Sequence, residues 1–512
     1  METVLEFENV TKRFPGLVAN DQVSFDVRRG EVHALVGENG AGKSTLVNMI
    51  AGLYRQDEGE IRLWGEPVSN GGPRGAIAQG VGMVHQHFML IHRFNVVQNV
   101  ILGFEESCSR FGCLDLRQAR EMVEELCRCY DFRLNLSVPV GTLSVGQQQR
   151  VEILKSLYRG ANLLILDEPT AVLTLQEVRA LFENLRRLTA QGKTVIFISH
   201  KLDEVLNIAD RVTVLRRGRV IATVNAMATD KKQLAEMMVG RPVLFQLDKP
   251  VSRPGETVLE MDQVVQGTDA GHHKLNRLTL TVRRGEIYGI AGVEGNGQRE
   301  LVETIMGLMP YDSGDIKIQG RSNRGRSVRD IRAGGVAYIP DDRQQRGLSL
   351  AMTVWENAVL GLVRSDRYSR WWKLCTDRIR DFAARKVREF DIRLSSVELP
   401  IRSLSGGNQQ KVILAREMSV DPELIIAAQP VRGLDIGAIE FVHRQLIAAR
   451  TAGKAVLLVS ADLEEVLSVA DRVGILYNGA IVKEFIPGEL ETETIGEYML
   501  GAGKEAAVWT ES

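Results

Sequence analysis

Nine consecutive residues, Gly37, Glu38, Asn39, Gly40, Ala41, Gly42, Lys43, Ser44 and Thr45, bring together glycines, an amine and hydroxyls. Glycines let backbone N–H groups close on an anion where a Cβ would block the approach. A helix that begins behind them points its positive end at the same place. Lys43 is spaced to bridge neighbouring phosphates and Ser44 to offer a hydroxyl to Mg²⁺, so the segment predicts a nucleoside triphosphate seat.

Further along, the apolar run LLIL ends in Asp167-Glu168. A carboxylate at a strand end needs a partner charge, and Mg²⁺ is the partner expected for Asp167. Glu168 is placed to orient and deprotonate an attacking water. Gln86, after the run VGMV, is expected to touch both metal and water. His200 closes the run IFIS and would donate to a γ-phosphate as charge spreads over its oxygens. A lone histidine is usually structural, but ligands of such sheets gather at strand ends, which favours a functional reading here. Phe14, upstream of the loop, is a candidate for stacking on adenine, with a core aromatic as the alternative.

The elements that must position these residues are short β-rich runs alternating with amphipathic helices, which predicts α/β halves with largely parallel sheets. The pattern occurs twice. GVEGNGQRE at Gly292 to Glu300 repeats the first loop, LSGGNQQKVILAR from Leu404 repeats LSVGQQQRVEILK from Leu143, and LIIAAQPV from Leu424 repeats LLILDEPT from Leu163. A repeat on this scale sets two halves, joined near Arg241 to Glu256, and the stretch before each LS-G motif reads as an inserted helical lobe. The second copy is damaged. It has Gln298 for Lys43, Arg299 for Ser44, Asp341 for Gln86, Ala428 and Gln429 for Asp167 and Glu168, and Ala461 for His200. The first half is altered at Val145, where the second has Gly406, and at Thr174, where the second has Asp435.

The chain has 512 residues, 44% of them hydrophobic, with 64 basic and 65 acidic side chains and a net charge of -1. No global field draws it to nucleic acid or acidic lipid. No apolar run approaches the ~20 residues of a membrane helix, and METVLEFENV does not read as a signal peptide. Cys108, Cys113, Cys127 and Cys129 cluster without paired C-x2-C spacing, so reduced thiols are expected rather than a metal site.

LSGGNQQ and LSVGQQQ, each with a phosphate loop before it and the Asp-Glu position after it, resemble the signature of ATP-binding-cassette (ABC) ATPases. The match covers nearly the whole chain, twice. The resemblance implies an α/β fold of two tandem P-loop NTPase domains, each with a largely parallel-sheet core, an antiparallel β part and an inserted helical subdomain. Their expected limits are 1–243 and 257–502, with a linker at 244–256 and a tail at 503–512. It also implies ATP and Mg²⁺ as cofactors and head-to-tail pairing of the cassettes. In that pairing Ser405, Gly406 and Gly407, with the loop Gly433-Leu434-Asp435, face the site of Lys43. Every loss named above, Val145 and Thr174 included, then falls on the other site. One ATP would be hydrolysed per closure, at the first loop.

The layout looks like the ATPase subunit of carbohydrate-type importers, and VHQHFML with AAQPVRGLDIGAIEFVHR is most similar to the branch importing nucleosides. That likeness implies two transmembrane permease subunits, an extracytoplasmic solute-binding protein and no nucleic acid. It places the chain at the cytoplasmic face of the cell membrane, held there by the permease near Gln86 to Phe94 and Asp341 to Leu348. The basic and aromatic stretch Arg364 to Arg380 reads as a contact to headgroups or permease, or as a solvated helical face. The competing class is soluble twin-cassette ATPases acting on ribosomes. Those carry a long charged arm between cassettes and keep both sites whole, unlike this chain.

Overall fold

The computed structural model describes residues 2–68, 71–85, 88–105, 109–110, 113–170, 173, 175–242, 249–267, 273–371 and 373–501. The chain divides into two compact units, Met1–Val243 and Leu244–Ser512.

In the first unit, Val32–Gly37, Leu163–Asp167 and Thr194–Ile198 are apolar and buried almost throughout, as suits strands covered on both faces. They form the middle of a six-stranded sheet in the order Arg219–Asn225, Arg211–Arg216, Val32–Gly37, Thr194–Ile198, Leu163–Asp167, Val81–Val84. All neighbours are parallel except the first pair. The C-terminal ends Gly37, Ile198, Asp167 and Val84 therefore gather along one edge of the sheet.

A second, antiparallel sheet runs Leu17–Arg28, Thr3–Phe14, Glu58–Leu63, Glu66–Pro67. Helix Lys43–Ile50 lies in the core between the sheets. Its Leu46, Val47 and Ile50 share one cluster with Val4, Leu5 and Phe7 of the antiparallel sheet and with Leu35, Ile165 and Ile196 of the parallel one. Each such side chain contributes roughly 1.5–3 kcal/mol by burial, so the phosphate loop is fixed at the helix it opens. The helical lobe comprises Val96–Ile101, Leu116–Cys129 and Val145–Tyr158. Asn95 and Ser144 close capping boxes with Gln98 and Gln147, and the Asp115 carboxylate accepts from the N–H groups of Arg117 and Gln118.

The second unit repeats this strand for strand. One sheet runs His273–Arg283, Thr257–Gly267, Ser313–Ile318, Arg321–Ser322. The other runs Ala480–Phe485, Arg472–Tyr477, Ile287–Ala291, Ala455–Ser460, Leu424–Ala428, Val336–Ile339. The α/β reading holds in both halves, antiparallel part and helical lobe included. One local difference follows Ile339, where the stretch to Asn357 is three residues longer than that from Val84 to Asn99. A π-helical turn, Arg343–Gly347, capped by Asp342, lies in that longer stretch. Both stretches are anchored alike: Asn99 bonds the backbone of Ile91, Phe94 and Asn95, and Asn357 that of Ser349, Met352 and Thr353. Among the described residues no helix is long and apolar enough to cross a membrane.

Candidate nucleotide site

Strand Val32–Gly37 ends where the loop begins, and two of the loop glycines are sterically required. A Cβ on Gly37 would stand 2.4 Å from the Leu215 carbonyl oxygen, and one on Gly42 would stand 2.5 Å from that of Ala19. Gly40 faces open space, but its φ of 82° is left-handed. Gly42, at φ 100°, is the N-cap of helix Lys43–Ile50 and offers no side chain to the first-turn N–H groups, which suits an external anion. The buried Lys43 ammonium donates to the carbonyls of Gly37 at 2.6 Å and Glu38 at 3.1 Å, so the loop holds the amine at its own mouth. Ser44 is exposed on the first helical turn and Thr45 half-buried.

Parallel pairing sets Asp167 opposite Ile198, which brings the residues just beyond both strands together. Glu168 turns into the left-handed region at φ 46°, its N–H donating to the Ile198 carbonyl at 2.9 Å. Its carboxylate meets His200 Nδ1 at 3.0 Å. That bond holds the Glu168 carboxyl below its ordinary value against burial, helped by the charges of His200, Lys43 and Lys201. Asp167 moves the other way. Burial, then the charge of Glu168, push its carboxyl up, opposed by Lys43 and His85. A half-buried carboxylate so disfavoured as an anion fits a divalent cation, and the Ser44 hydroxyl at the helix start is of the right donor type. If His200 also donates to a phosphate through Nε2 while Nδ1–H binds Glu168, both ring nitrogens carry protons.

The structure thus brings Lys43, Asp167, Glu168 and His200 within reach of one another. Gln86, the other expected metal and water contact, lies outside the described residues, as does Thr174. Phe14 ends its strand half-buried, edge-on to Tyr54 at 5.4 Å, with Lys12 Nζ 5.6 Å from its ring centre. Tyr54, 43% exposed beyond the phosphate-loop helix, was not flagged by the sequence, and neither were His85 and Lys201. No motif marks them, because their place comes from the strand order.

The second unit keeps the backbone of this site and loses its chemistry. Gly297, at φ 107°, caps helix Gln298–Ile305, and Gln429 repeats the left-handed φ of Glu168, its N–H donating to Val459 at 2.7 Å. Gln298, in the lysine position, donates to the Val293 carbonyl at 2.8 Å and accepts from the Asn296 N–H at 3.1 Å. It satisfies a loop N–H that would otherwise serve a phosphate. Arg299 points its charge at Glu303, 2.7 Å away, and so does Arg346. Asp341, in the glutamine position, has a buried Oδ1 with no hydrogen-bond partner among the described residues.

The two signature segments also differ. Ser144 caps its helix through its side chain and bonds Glu177 at 3.1 Å. Ser405 makes no side-chain cap; its hydroxyl accepts from Asn408 Nδ2 at 2.9 Å, so among the described residues no side chain of the N-cap serves the first-turn N–H groups. Arg343, from the three-residue-longer loop, packs against this segment. Its Nη1 donates to the Arg432 carbonyl at 2.7 Å, and a Cβ on Gly406 would stand 2.7 Å from its Nη2.

The profile of the family described as ABC transporter matches residues 20–171 and 275–432. The guanosine import ATP-binding protein NupO of Bacillus subtilis (strain 168) is 45% identical over 507 residues, covering 99% of each chain. The glucose import ATP-binding protein TsgD13 of Haloferax volcanii is 44% identical over 534 residues, covering 99% of this chain and 97% of that one. A solved archaeal ribosome recycling factor, aABCE1 in complex with the ribosomal stalk protein aP1, is 21% identical with a TM-score of 0.59, covering 91% of this chain and 87% of that one, a likeness of fold alone. With a phosphate loop and a signature helix in each half, a carboxylate pair in the first, a family profile matched in both halves and a relative aligned along 99% of the chain, the chain is an ATPase and belongs to the ABC transporter family.

Proposed function

We propose that the chain is the ATP-hydrolysing subunit of an importer, energising uptake of nucleosides or simple sugars through separate membrane permeases. The relatives named for guanosine, nucleoside and glucose import carry the importer reading over the ribosomal one, because their alignments span 98–99% of the chain, both halves included, at 44–45% identity. The two solute classes stand at almost equal identity, so the proposal covers both. Its cassettes span 1–243 and 257–502, and its partners are two transmembrane permease subunits and an extracytoplasmic solute-binding protein, at the cytoplasmic face of the membrane.

The observation that carries the mechanism is the Glu168–His200 bond beside Asp167 and Lys43, set against Gln429, Ala461, Ala428 and Gln298 in the other half. Loop N–H groups and Lys43 bind the phosphates. Glu168, ionised and held by His200, orients the attacking water and accepts its proton, and His200 steadies the charge that develops on the γ-phosphate. Asp167, Ser44 and Gln86 would hold Mg²⁺, which supplies charge neutralisation to the phosphate oxygens. Ser405, Gly406 and Gly407 are proposed to complete this site, a reading supported by the uncapped first turn at Ser405 and by the scatter of losses in sequence. Closure on ATP and release after hydrolysis would then drive the permease.

Glu168→Gln should abolish turnover while leaving ATP binding; near-normal hydrolysis in that variant overturns the assignment. Uptake of labelled nucleosides and labelled sugars in a strain carrying Lys43→Ala separates the solute classes: the class whose uptake stops is the cargo.

A further inference from the structure

Between helices Val354–Ala358 and Thr376–Glu389 the second unit forms a small hairpin, Ser369–Arg370 against Lys373–Leu374. Arg370 pairs with Lys373, and Trp371 follows Arg370 directly at the tip. Trp371 sits there at φ 62°, in the left-handed region, where two-residue hairpins favour Asn-Gly and bulky side chains are rare. Its indole is 92% exposed. Trp372 lies outside the described residues. Neither backbone preference nor burial explains the tryptophan at 371.

The base of the hairpin, in contrast, is anchored. Tyr368 is buried, meets Phe382 at 5.2 Å between ring centres, and joins Val359 and Ile379 in a small core. The Cys375 N–H donates to the Tyr368 carbonyl at 2.9 Å. A firm base therefore holds out an aromatic tip with exposed Leu374 beside it.

The surroundings are basic. Residues 364–380 carry Arg364, Arg367, Arg370, Lys373, Arg378 and Arg380 against Asp366 and Asp377, in a chain whose net charge is -1. Arg380 is engaged with Glu398 at 2.8 Å and Arg367 lies over the Tyr368 ring. Arg364, Arg370, Lys373 and Arg378 are exposed and have no ion pair among the described residues.

We propose that this hairpin touches anionic lipid headgroups directly, with Trp371 seated at the interface and Arg370 and Lys373 beside the lipid phosphates. The combination selects that surface. An indole is apolar in body and polar at one edge and settles at headgroup depth, while basic side chains near an anionic membrane raise partitioning by roughly fivefold each. The hairpin lies outside the nucleotide site, so the contact is additional to the permease-held attachment and independent of hydrolysis.

Flotation of the full chain with vesicles tests it, at about 0.1 M salt, where charges act over ~10 Å. The vesicles are phosphatidylcholine alone or phosphatidylcholine mixed with phosphatidylglycerol, and the proteins are wild type, Trp371→Ser, and Arg370→Glu with Lys373→Glu. Wild type should float with the anionic vesicles and not with the neutral ones. Trp371→Ser should weaken flotation, and the double charge reversal should weaken it at least ~25-fold, with ATPase turnover unchanged as the check on folding. No binding to anionic vesicles, or equal binding by the variants, overturns the proposal. So does flotation that depends on purified permease embedded in neutral vesicles, which would make the hairpin a protein contact.

Discussion

Replacing His200 with alanine removes the ring nitrogen that lies 3.0 Å from the Glu168 carboxylate, between side chains only 24% and 18% exposed. That bond is the first cause holding the Glu168 carboxyl below its ordinary value; burial acts against it, and the charges of Lys43 and Lys201 assist. The sign follows from linkage. A depressed folded-state value favours the charged form, so its stabilisation is present above the ordinary carboxylate range and is lost as pH falls through the lowered value. Wild type therefore keeps Glu168 ionised into acid, and the acid limb of kcat lies below that ordinary range. Alanine removes the first cause and leaves burial, so the limb must move to higher pH. At neutral pH the variant also loses a donor to the developing phosphate charge, about 10²–10³-fold in kcat. Steady-state ATP hydrolysis against pH reads both effects, with circular dichroism marking where the chain stays folded. His200→Gln keeps an N–H donor and should restore part of the rate and of the limb. A limb that stays in place, or moves to lower pH, refutes the link between His200 and the charge on Glu168.

Asp167→Asn should raise the melting temperature of the nucleotide-free chain at neutral pH while ending Mg²⁺-dependent hydrolysis. Burial and the Glu168 charge push the Asp167 carboxyl up, so stability present in acid is lost as pH rises through the raised value, and asparagine removes that loss. A lower melting temperature would contradict the burial of that charge. Gly40→Ala, at φ 82° with nothing within 4 Å, meets only left-handed strain of about 1–2 kcal/mol, or roughly 2–8 °C in a unit of this size. Gly42→Ala adds a Cβ 2.5 Å from the Ala19 carbonyl oxygen and should fall further in thermal unfolding and lose ATP binding; equal falls for the two variants would contradict the close approach.

What the sequence revealed is what backbone geometry demands locally. Gly37, Gly40 and Gly42 are legible because a loop that wraps an anion excludes Cβ atoms, and the strands are legible because covered strands are apolar throughout. The repeat was legible because the same elements recur in the same order, and the structure returns identical strand orders in both units. The hydrogen bond between Glu168 and His200 was not legible. It depends on Leu163–Asp167 and Thr194–Ile198 lying side by side in one register, which neither segment encodes alone. Likewise, Gln298 reads as a missing charge, whereas the structure shows a side chain that occupies its own loop through Val293 and Asn296. Tyr54 beside Phe14 and Arg343 against Gly406 are products of packing between distant segments, and no spacing announces them.

The division of labour between the two phosphate loops is tested most directly by steady-state ATP turnover of the full chain carrying Lys43→Ala beside the full chain carrying Gln298→Ala. With hydrolysis confined to the first loop, Lys43→Ala should lose at least ~10²-fold in kcat and Gln298→Ala should stay within about twofold of wild type. Comparable losses in the two variants, or full turnover without Lys43, would contradict it.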